Sequence, residues 1–125
     1  MDIRSFFVFR CNEKMRERVD ESFSNMIRTF VPESIAEHTS IVIEYRIHRC
    51  GIWFVVITNK TCKLHVGGEA PKPDLRLSTN RKTWLAIADG FETGESMYMK
   101  GKLHAKGDQS ILIQLPQLFN RENYH

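Results

Sequence analysis

From Asn12 onward, apolar residues fall at Met15, Val19, Phe23, Met26, Ile27 and Phe30. Intervals of mostly three and four place them on one stripe of an α-helix. Asn12 is suited to cap that helix at its start, and Pro32 ends the run. Pro32 to Glu37 then reads as one further short helical turn. Residues 3 to 10 (IRSFFVFR) are apolar enough for a strand or for the start of a helix, and the pattern does not separate the two.

The period then changes from helical to alternating. Ile41, Ile43, Tyr45 and Ile47 alternate with Val42, Glu44, Arg46 and His48, which predicts a half-buried strand. A tight turn at Cys50-Gly51 leads into Ile52 to Thr58, β-branched and aromatic and so more deeply buried. Asn59-Lys60 predicts a second turn, and Cys62 to Val66 a short strand. These three strands read as an antiparallel meander. Gly67-Gly68 and Pro71-Lys72-Pro73 form a stiff loop, after which Leu75 and Leu77 mark a fourth strand.

Ser78 or Thr79 is expected to cap a helix carrying Trp84, Leu85 and Ala88 on its inner face, with Gly90 just past its end. Arg81 and Lys82 fall in its first turn, where the helix dipole disfavours cations. Gly94 to Met99 predicts a short helical turn, and Gly101 to Ala105 a fifth strand ending at Gly107. Asp108 caps a closing segment, Ser110 to Phe119, in which Pro116 is expected to break or kink the helix. Ile111, Leu115, Leu118 and Phe119 keep helical spacing there, while Leu112 and Ile113 make the segment apolar almost all round. A helix covering one sheet face needs only one stripe. The surplus points to ends held between other elements, or to a second face that lines a cavity or meets a partner.

Composition adds limits rather than identity. The 125 residues suit one domain, with 42% hydrophobic and 26% charged residues. The longest apolar run, Ile52 to Ile57, falls far short of the ~20 residues of a spanning helix. The start of the chain, with Asp2, Arg4 and Arg10, lacks the apolar core of a signal peptide. These features point to a cytoplasmic protein. The net charge of +3 comes from scattered basic residues. Lys14, Arg16 and Arg18 are interleaved with Glu13, Glu17, Asp20 and Glu21, so no stripe for nucleic acid forms and none is expected as a partner. A charge of this size permits transient contact with an anionic membrane surface. Three cysteines, an odd number, predict reduced thiols rather than a disulfide framework.

Reactive constellations are weak. His48-x-Cys50 with Cys62-x-x-His65 has the residue types for zinc. Cys62 and His65, however, are three apart on a strand and point to opposite faces, so no metal site is expected. Gly-x-Ser-x-Gly and cysteine-protease signatures are absent. Gly67-Gly68 is followed by Glu69-Ala70 rather than by a phosphate-loop lysine. Asp108 is better explained as a helix cap, and Asp89 as an exposed helix-end residue. No catalytic residue and no cofactor are expected.

One series of residues in the second half carries a resemblance. It runs Pro73-Asp74-Leu75-Arg76-Leu77-Ser78-Thr79, then Trp84-Leu85-Ala86-Ile87-Ala88-Asp89-Gly90. Met97-Tyr98-Met99-Lys100-Gly101-Lys102-Leu103-His104-Ala105-Lys106-Gly107-Asp108 and Ile113-Gln114-Leu115-Pro116-Gln117-Leu118-Phe119 complete it. In order and spacing, over roughly residues 40 to 119, this resembles the sterol carrier protein 2 family, and the Gly101-Lys102-Leu103 to Gly107-Asp108 spacing is its most specific part. Trp53 to Ile57 stands where that family has a central strand. Phe23-Ser24-Asn25-Met26 through Pro32-Glu33 is similar to the start of its short prokaryotic members.

The resemblance implies an α+β fold: a five-stranded, mainly antiparallel sheet with helices packed on one face, enclosing an apolar tunnel. It implies residues 1–18 as an N-terminal extension and 19–125 as the lipid-binding domain. The implied function is non-enzymatic binding, transfer or presentation of an apolar lipid: a sterol, a fatty acyl chain, or an isoprenoid or quinone-like molecule. Carried onto this chain, the tunnel wall comprises Phe30, Trp84, Leu85, Met97, Met99, Leu103, Ile111, Leu112, Leu115 and Leu118. Methionine suits such a wall, because its thioether adapts to varied ligands.

The chain departs from the family pattern in three ways. It ends Glu122-Asn123-Tyr124-His125, not in a peroxisomal address. Residues 1 to about 18 have no counterpart, leaving an added helix or a homodimer contact. His104 and Ala105 replace bulkier apolar residues, which implies a wider or wetter end to the cavity. Two other readings stand beside the lipid carrier. One is an interaction or dimerisation module with a collapsed tunnel. The other is a small enzyme in which His104 converges with Asp108 or Tyr98 on a bound lipid.

Overall fold

A computed structural model describes residues 11–123 of the chain. The expectation for residues 3–10 lies outside that range. Asn12 caps the first helix as expected, its side-chain oxygen accepting from the Met15 amide at 2.8 Å. Helix α1 (Glu13–Ile27) buries Val19, Ser22 and Phe23, so the expected boundary at residue 18 falls inside it. Pro32–Ser34 makes a single 3-10 turn, with proline at its start.

Five strands follow in the order the hydrophobic alternation predicts: β1 (Ser40–Ile47), β2 (Gly51–Thr58), β3 (Thr61–Val66), β4 (Leu75–Thr79) and, later, β5 (Leu103–Gly107). They form one sheet in the order β3-β2-β1-β4-β5. The β1-β2-β3 meander is antiparallel, β4 runs parallel to β1, and β5 antiparallel to β4. Between β4 and β5 lie α2 (Arg81–Ala88) and α3 (Gly94–Met99), and α4 (Gln109–Leu118) closes the fold.

Period-two alternation sorts the sheet into two faces. Ile43, Tyr45, Ile47, Trp53, Val55, Ile57, Leu75, Leu77 and Leu103 are buried on one face, in a single core with Val19, Phe23, Trp84, Ile111 and Leu118 from the helices. The other face carries Val42, Arg46, Phe54, Val56, His65, Arg76, His104 and Lys106, all half-buried or exposed. Glu44 is the exception there, fully buried at 0% exposure. It accepts from Arg46 Nε, from Arg76 Nε at 2.7 Å and from the Ala70 amide at 3.0 Å. Arg76 is its partner across the parallel β1-β4 pair.

Four local expectations need correction. Asn80, not Ser78 or Thr79, caps α2, accepting from the Thr83 amide at 2.7 Å. Ser78 and Thr79 are still committed to the β4-β5 ladder. The turn between β1 and β2 occupies His48, Arg49 and Cys50, and Gly51 already belongs to β2. Helix α4 continues through Pro116 to Leu118. A proline so near the end removes one backbone donor and leaves little helix to disrupt.

The fourth concerns the cysteines: Cys11 and Cys50, 39 residues apart, form a disulfide. The start of α1 is brought against the β1-β2 turn with a Cα–Cα distance of 4.8 Å, inside the range a bridge needs. An odd cysteine count could not reveal that proximity, and it no longer supports a reducing compartment. Cys62 alone is free, and burial pushes its thiol pKa up to about 12.

Candidate functional site

The layer between the helices and the sheet is where the sequence placed a ligand. Its α1 end is filled by aromatic rings. Phe23 stacks on Trp84 (centroids 4.5 Å apart, planes at 14°) and on Trp53 (5.1 Å, 16°). Tyr45 meets Phe23 and Trp84 edge-on, at 5.1 and 5.3 Å. Burial, with a smaller contribution from Cys62, drives the Tyr45 phenol pKa far upward, so the ring stays neutral and sits in the core as an apolar body.

Both indoles find acceptors on α1. Trp84 Nε1 donates to Ser22 Oγ at 2.8 Å and Trp53 Nε1 to Asp20 Oδ1 at 2.6 Å. Buried indole N–H groups need such partners, and these two fix the position of α1 over the sheet. Arg18 adds a two-pronged bond to the Asp89 carboxylate at the end of α2 (2.8 and 2.7 Å).

The far end of the layer, over β4 and β5, collects most of the expected wall. Phe30, Met97, Leu103, Ile111 and Leu118 are buried in the core, and Leu85, Leu112 and Leu115 are half-buried against it; Trp84, also expected in the wall, belongs instead to the aromatic stack at the α1 end. Met99 is placed differently, 78% exposed on α3. There it borders a surface concavity of about 350 Å³ with Thr93, Glu95, Ser96 and Lys100. Helix α4 does not present an apolar circumference inward: Ile113 points out, 76% exposed.

Helix α4 is held at both ends. At its start, Asp108 Oδ1 accepts from the Ser110 amide and hydroxyl at 3.0 and 2.6 Å, and those bonds lower the carboxyl's pKa. At its finish, the Val31 amide donates to the Leu118 carbonyl and the Asn120 amide to the Thr29 carbonyl, each at 2.9 Å. A bridge between Phe30 and Phe119 lies between these bonds, with ring centroids 6.0 Å apart.

The residues weighed for chemistry do not converge. His104 lies exposed on the outer face of β5, opposite Ser78, so it does not wet the layer. Asp108 is engaged as a cap, and the Tyr98 hydroxyl meets Gln109 at 3.5 Å. His65 stacks on Phe54 (4.7 Å, 9°) on the outer face, away from Cys62, which packs against the core. With Cys50 oxidised, the four residues weighed for zinc do not come together.

The buried Glu44 cluster is not among the residues singled out by sequence pattern. Arg46, two positions along the same strand, was the available signal. The second arginine emerges only from the parallel pairing of β1 with β4.

The family model described as the SCP-2 sterol transfer family matches residues 30–120. The chain belongs to that family. Lipid binding and transfer in general are therefore supported for it, and α1 lies upstream of the matched span. Hydroxysteroid dehydrogenase-like protein 2 of Bos taurus is 23% identical over 107 residues. That match covers 84% of this chain but only 25% of the bovine protein, so the chain spans a quarter of that relative's length.

Among solved structures, sterol carrier protein 2 like 2 from Aedes aegypti has a TM-score of 0.63 at 19% identity, covering 84% of this chain and 99% of its own. A palmitated form of the Aedes protein in solution gives 0.57 at 20%, covering 90% and 96%. The inverting sec-alkylsulfatase Pisa1 from Pseudomonas sp. gives 0.65 at 16%, covering 75% of this chain and 15% of that one. At these identities the structures establish the shared fold. The SCP-2 fold thus occurs both as a whole chain and as a small part of larger proteins. Among the described residues no helix is long and apolar enough to cross a membrane.

Proposed function

We propose that this protein binds a single-chain or ring-fused apolar lipid (a fatty acyl chain, a sterol, or an isoprenoid or quinone-like molecule) in the layer between the helices and β4-β5. It transfers or presents that lipid without chemical change. The observation that carries this is the gathering of Phe30, Leu85, Met97, Leu103, Ile111, Leu112, Leu115 and Leu118 in one continuous core, bounded on its α1 side by Trp84, in a chain of the SCP-2 family. The palmitated Aedes relative supports the acyl class. Burying a chain there yields about 0.8 kcal/mol per CH₂. Entry takes place by parting α4 from β5, with the Thr29–Val31 contacts as the tether that yields. Met99, exposed on α3, belongs to the entrance rather than to the wall.

Native mass spectrometry of freshly purified protein, followed by lipid extraction, tests this directly. The expected result is a retained lipid and, after delipidation, saturable uptake of fatty acids, sterols or quinones. A delipidated protein with no affinity for any of these classes overturns the reading.

A second reading has its own support. The Phe23-Trp53-Trp84-Tyr45 stack fills the α1 half of the layer with side chains, which favours an interaction or homodimerisation module with a collapsed tunnel. A stable dimer with no lipid uptake, measured by light scattering on the same sample, selects it.

A further inference from the structure

Among the described residues, the large hydrophobic side chains open to water are Val66, Phe91, Tyr98, Met99 and Ile113. Scattered singly, such residues need no explanation. Tyr98, Met99 and Ile113, however, gather where α3 meets the start of α4. Tyr98 and Met99 close α3, and the Tyr98 hydroxyl meets the Gln109 side chain at 3.5 Å. Gln109 opens α4, its side-chain amide reaching the Ala105 and Gly107 carbonyls of β5 at 3.4 and 3.5 Å. Ile113 lies one turn further along the same side of α4.

The outward side of α4 also carries no charge. Its exposed residues Ser110, Ile113, Gln114, Pro116 and Gln117 include no ionisable group, and the rest of the helix has none. Helix α1 has the opposite character, with Glu13, Lys14, Arg16, Glu17, Arg18 and Glu21 exposed. A charged side chain resists leaving water far more than an amide or hydroxyl does, so of these two helix faces only that of α4 suits partial desolvation. Lys100 and Lys102 border it in the turn between α3 and β5. Both are exposed, and neither pairs with a carboxylate among the described residues. Of the nearby acids, Asp108 is held by Ser110, and Glu92 precedes the opposite end of α3. Glu95 shares a concavity with Met99 and Lys100 and offsets part of the Lys100 charge, which leaves Lys102 as the main cation at this border.

We propose that the end of α3 and the outward side of α4 form the surface by which this protein docks on a lipid bilayer. Met99 and Ile113 enter the interface, Tyr98 lies at headgroup level, and the two lysines meet anionic headgroups. The apolar side chains stand apart on convex helix surfaces, with amides and a hydroxyl between them. A fluid interface adapts to that spacing, whereas a folded partner needs a continuous apolar patch at the centre of the contact. The inference rests on the lipid-carrier reading and extends it, because docking here sets the α4 entrance against the bilayer as the source of ligand.

Sedimentation with vesicles of phosphatidylcholine, alone or with added phosphatidylserine, tests the surface. The protein is expected to co-sediment with both, more strongly with phosphatidylserine present. Ile113→Asp is expected to weaken binding to both about tenfold, since it sets a charge where an apolar side chain enters. Lys102→Gln is expected to weaken binding about fivefold with phosphatidylserine vesicles only. Val66→Asp, an exposed position on β3 at the opposite edge of the sheet, is expected to change binding less than about twofold. Uptake of a fluorescent fatty acid from solution is expected to be unchanged in Ile113→Asp, which separates docking from ligand binding. Failure to co-sediment with either vesicle, while uptake from solution persists, overturns the docking surface and leaves the lipid reading standing. Equal weakening by Val66→Asp and Ile113→Asp overturns it too. So does a dimer, seen by light scattering, that Ile113→Asp dissociates, because the face then belongs to a second copy.

Discussion

Gly107 lies against Asp74 so closely that a Cβ on the glycine would collide with the Asp74 carbonyl oxygen. Gly107 also holds φ 115, open to glycine and strained for other residues. The next residue uses the contact, since the Asp108 amide donates to that same carbonyl at 2.8 Å. The Asp74 carboxylate reaches the other way and accepts from the Val42 amide at 2.8 Å. The Pro-Asp and Gly-Asp pairs that carried the family resemblance thus meet in space, where they join the ends of β4 and β5 to β1 and launch α4.

Gly107→Ala is therefore expected to destabilise the fold by about 1–3 kcal/mol from backbone strain alone, with the collision adding to it. Asp74→Ala removes the bond to Val42 but leaves the backbone acceptor, so it should cost less, about 1 kcal/mol. Urea unfolding of the two variants checks the order. Equal losses would show that the close approach is unimportant.

Glu44 sets an acid limit on stability. Burial works to raise its pKa, but hydrogen bonds from Arg46, the Ala70 amide and Arg76 act in the opposite direction, and the net shift is downward. A carboxyl whose folded pKa is lowered contributes stability that is complete above its unfolded value, near 4.5, and is lost as pH falls through the folded one. Thermal unfolding should be insensitive to this group at neutral pH and become sensitive below the ordinary carboxylate range. Glu44→Gln should flatten that acid dependence. Glu44→Ala should cost about 3 kcal/mol at neutral pH, the lower end for breaking a buried pair, because both guanidinium groups keep a third of their surface in water.

The disulfide closes a loop of 39 residues, for which the chain-entropy relation gives about 4 kcal/mol. Reductant and Cys50→Ser should each lower the melting temperature by similar amounts, and Cys62→Ser should leave the reductant response intact. A melting temperature unmoved by reductant would show that Cys11 and Cys50 are not joined in the purified protein.

These features divide by how far each signal reaches along the chain. Alternation at Ile41 to Ile47 and helical spacing from Met15 to Phe30 are local, so strands, helices and the Asn12 and Asp108 caps could be read directly. The Cys11–Cys50 bridge and the Glu44–Arg76 pair depend on which elements become neighbours, and no local period encodes that. The wall residues are an intermediate case. Hydrophobicity placed Ile111 and Leu118 in the core, but it could not separate Met97, buried, from Met99, two positions on and facing water, because a short helix turns those positions to opposite sides.

The ligand layer can be tested apart from the stability of the core. Leu115 is half-buried against the core under α4, whereas Phe23 stands at the centre of the aromatic stack. Leu115→Trp adds bulk where the lipid is proposed to lie, and its partial exposure lets the extra volume turn outward, at about 1–2 kcal/mol for overpacking. Phe23→Ala opens the stack and should cost about 3–5 kcal/mol. Uptake of a fluorescent fatty acid, measured beside urea unfolding, should separate the two. Leu115→Trp should reduce uptake severalfold with a small stability loss, and Phe23→Ala should lose stability while any folded fraction still takes up ligand. Normal uptake by Leu115→Trp, with uptake abolished in folded Phe23→Ala, would move the binding layer from β4-β5 to the aromatic end of the sheet.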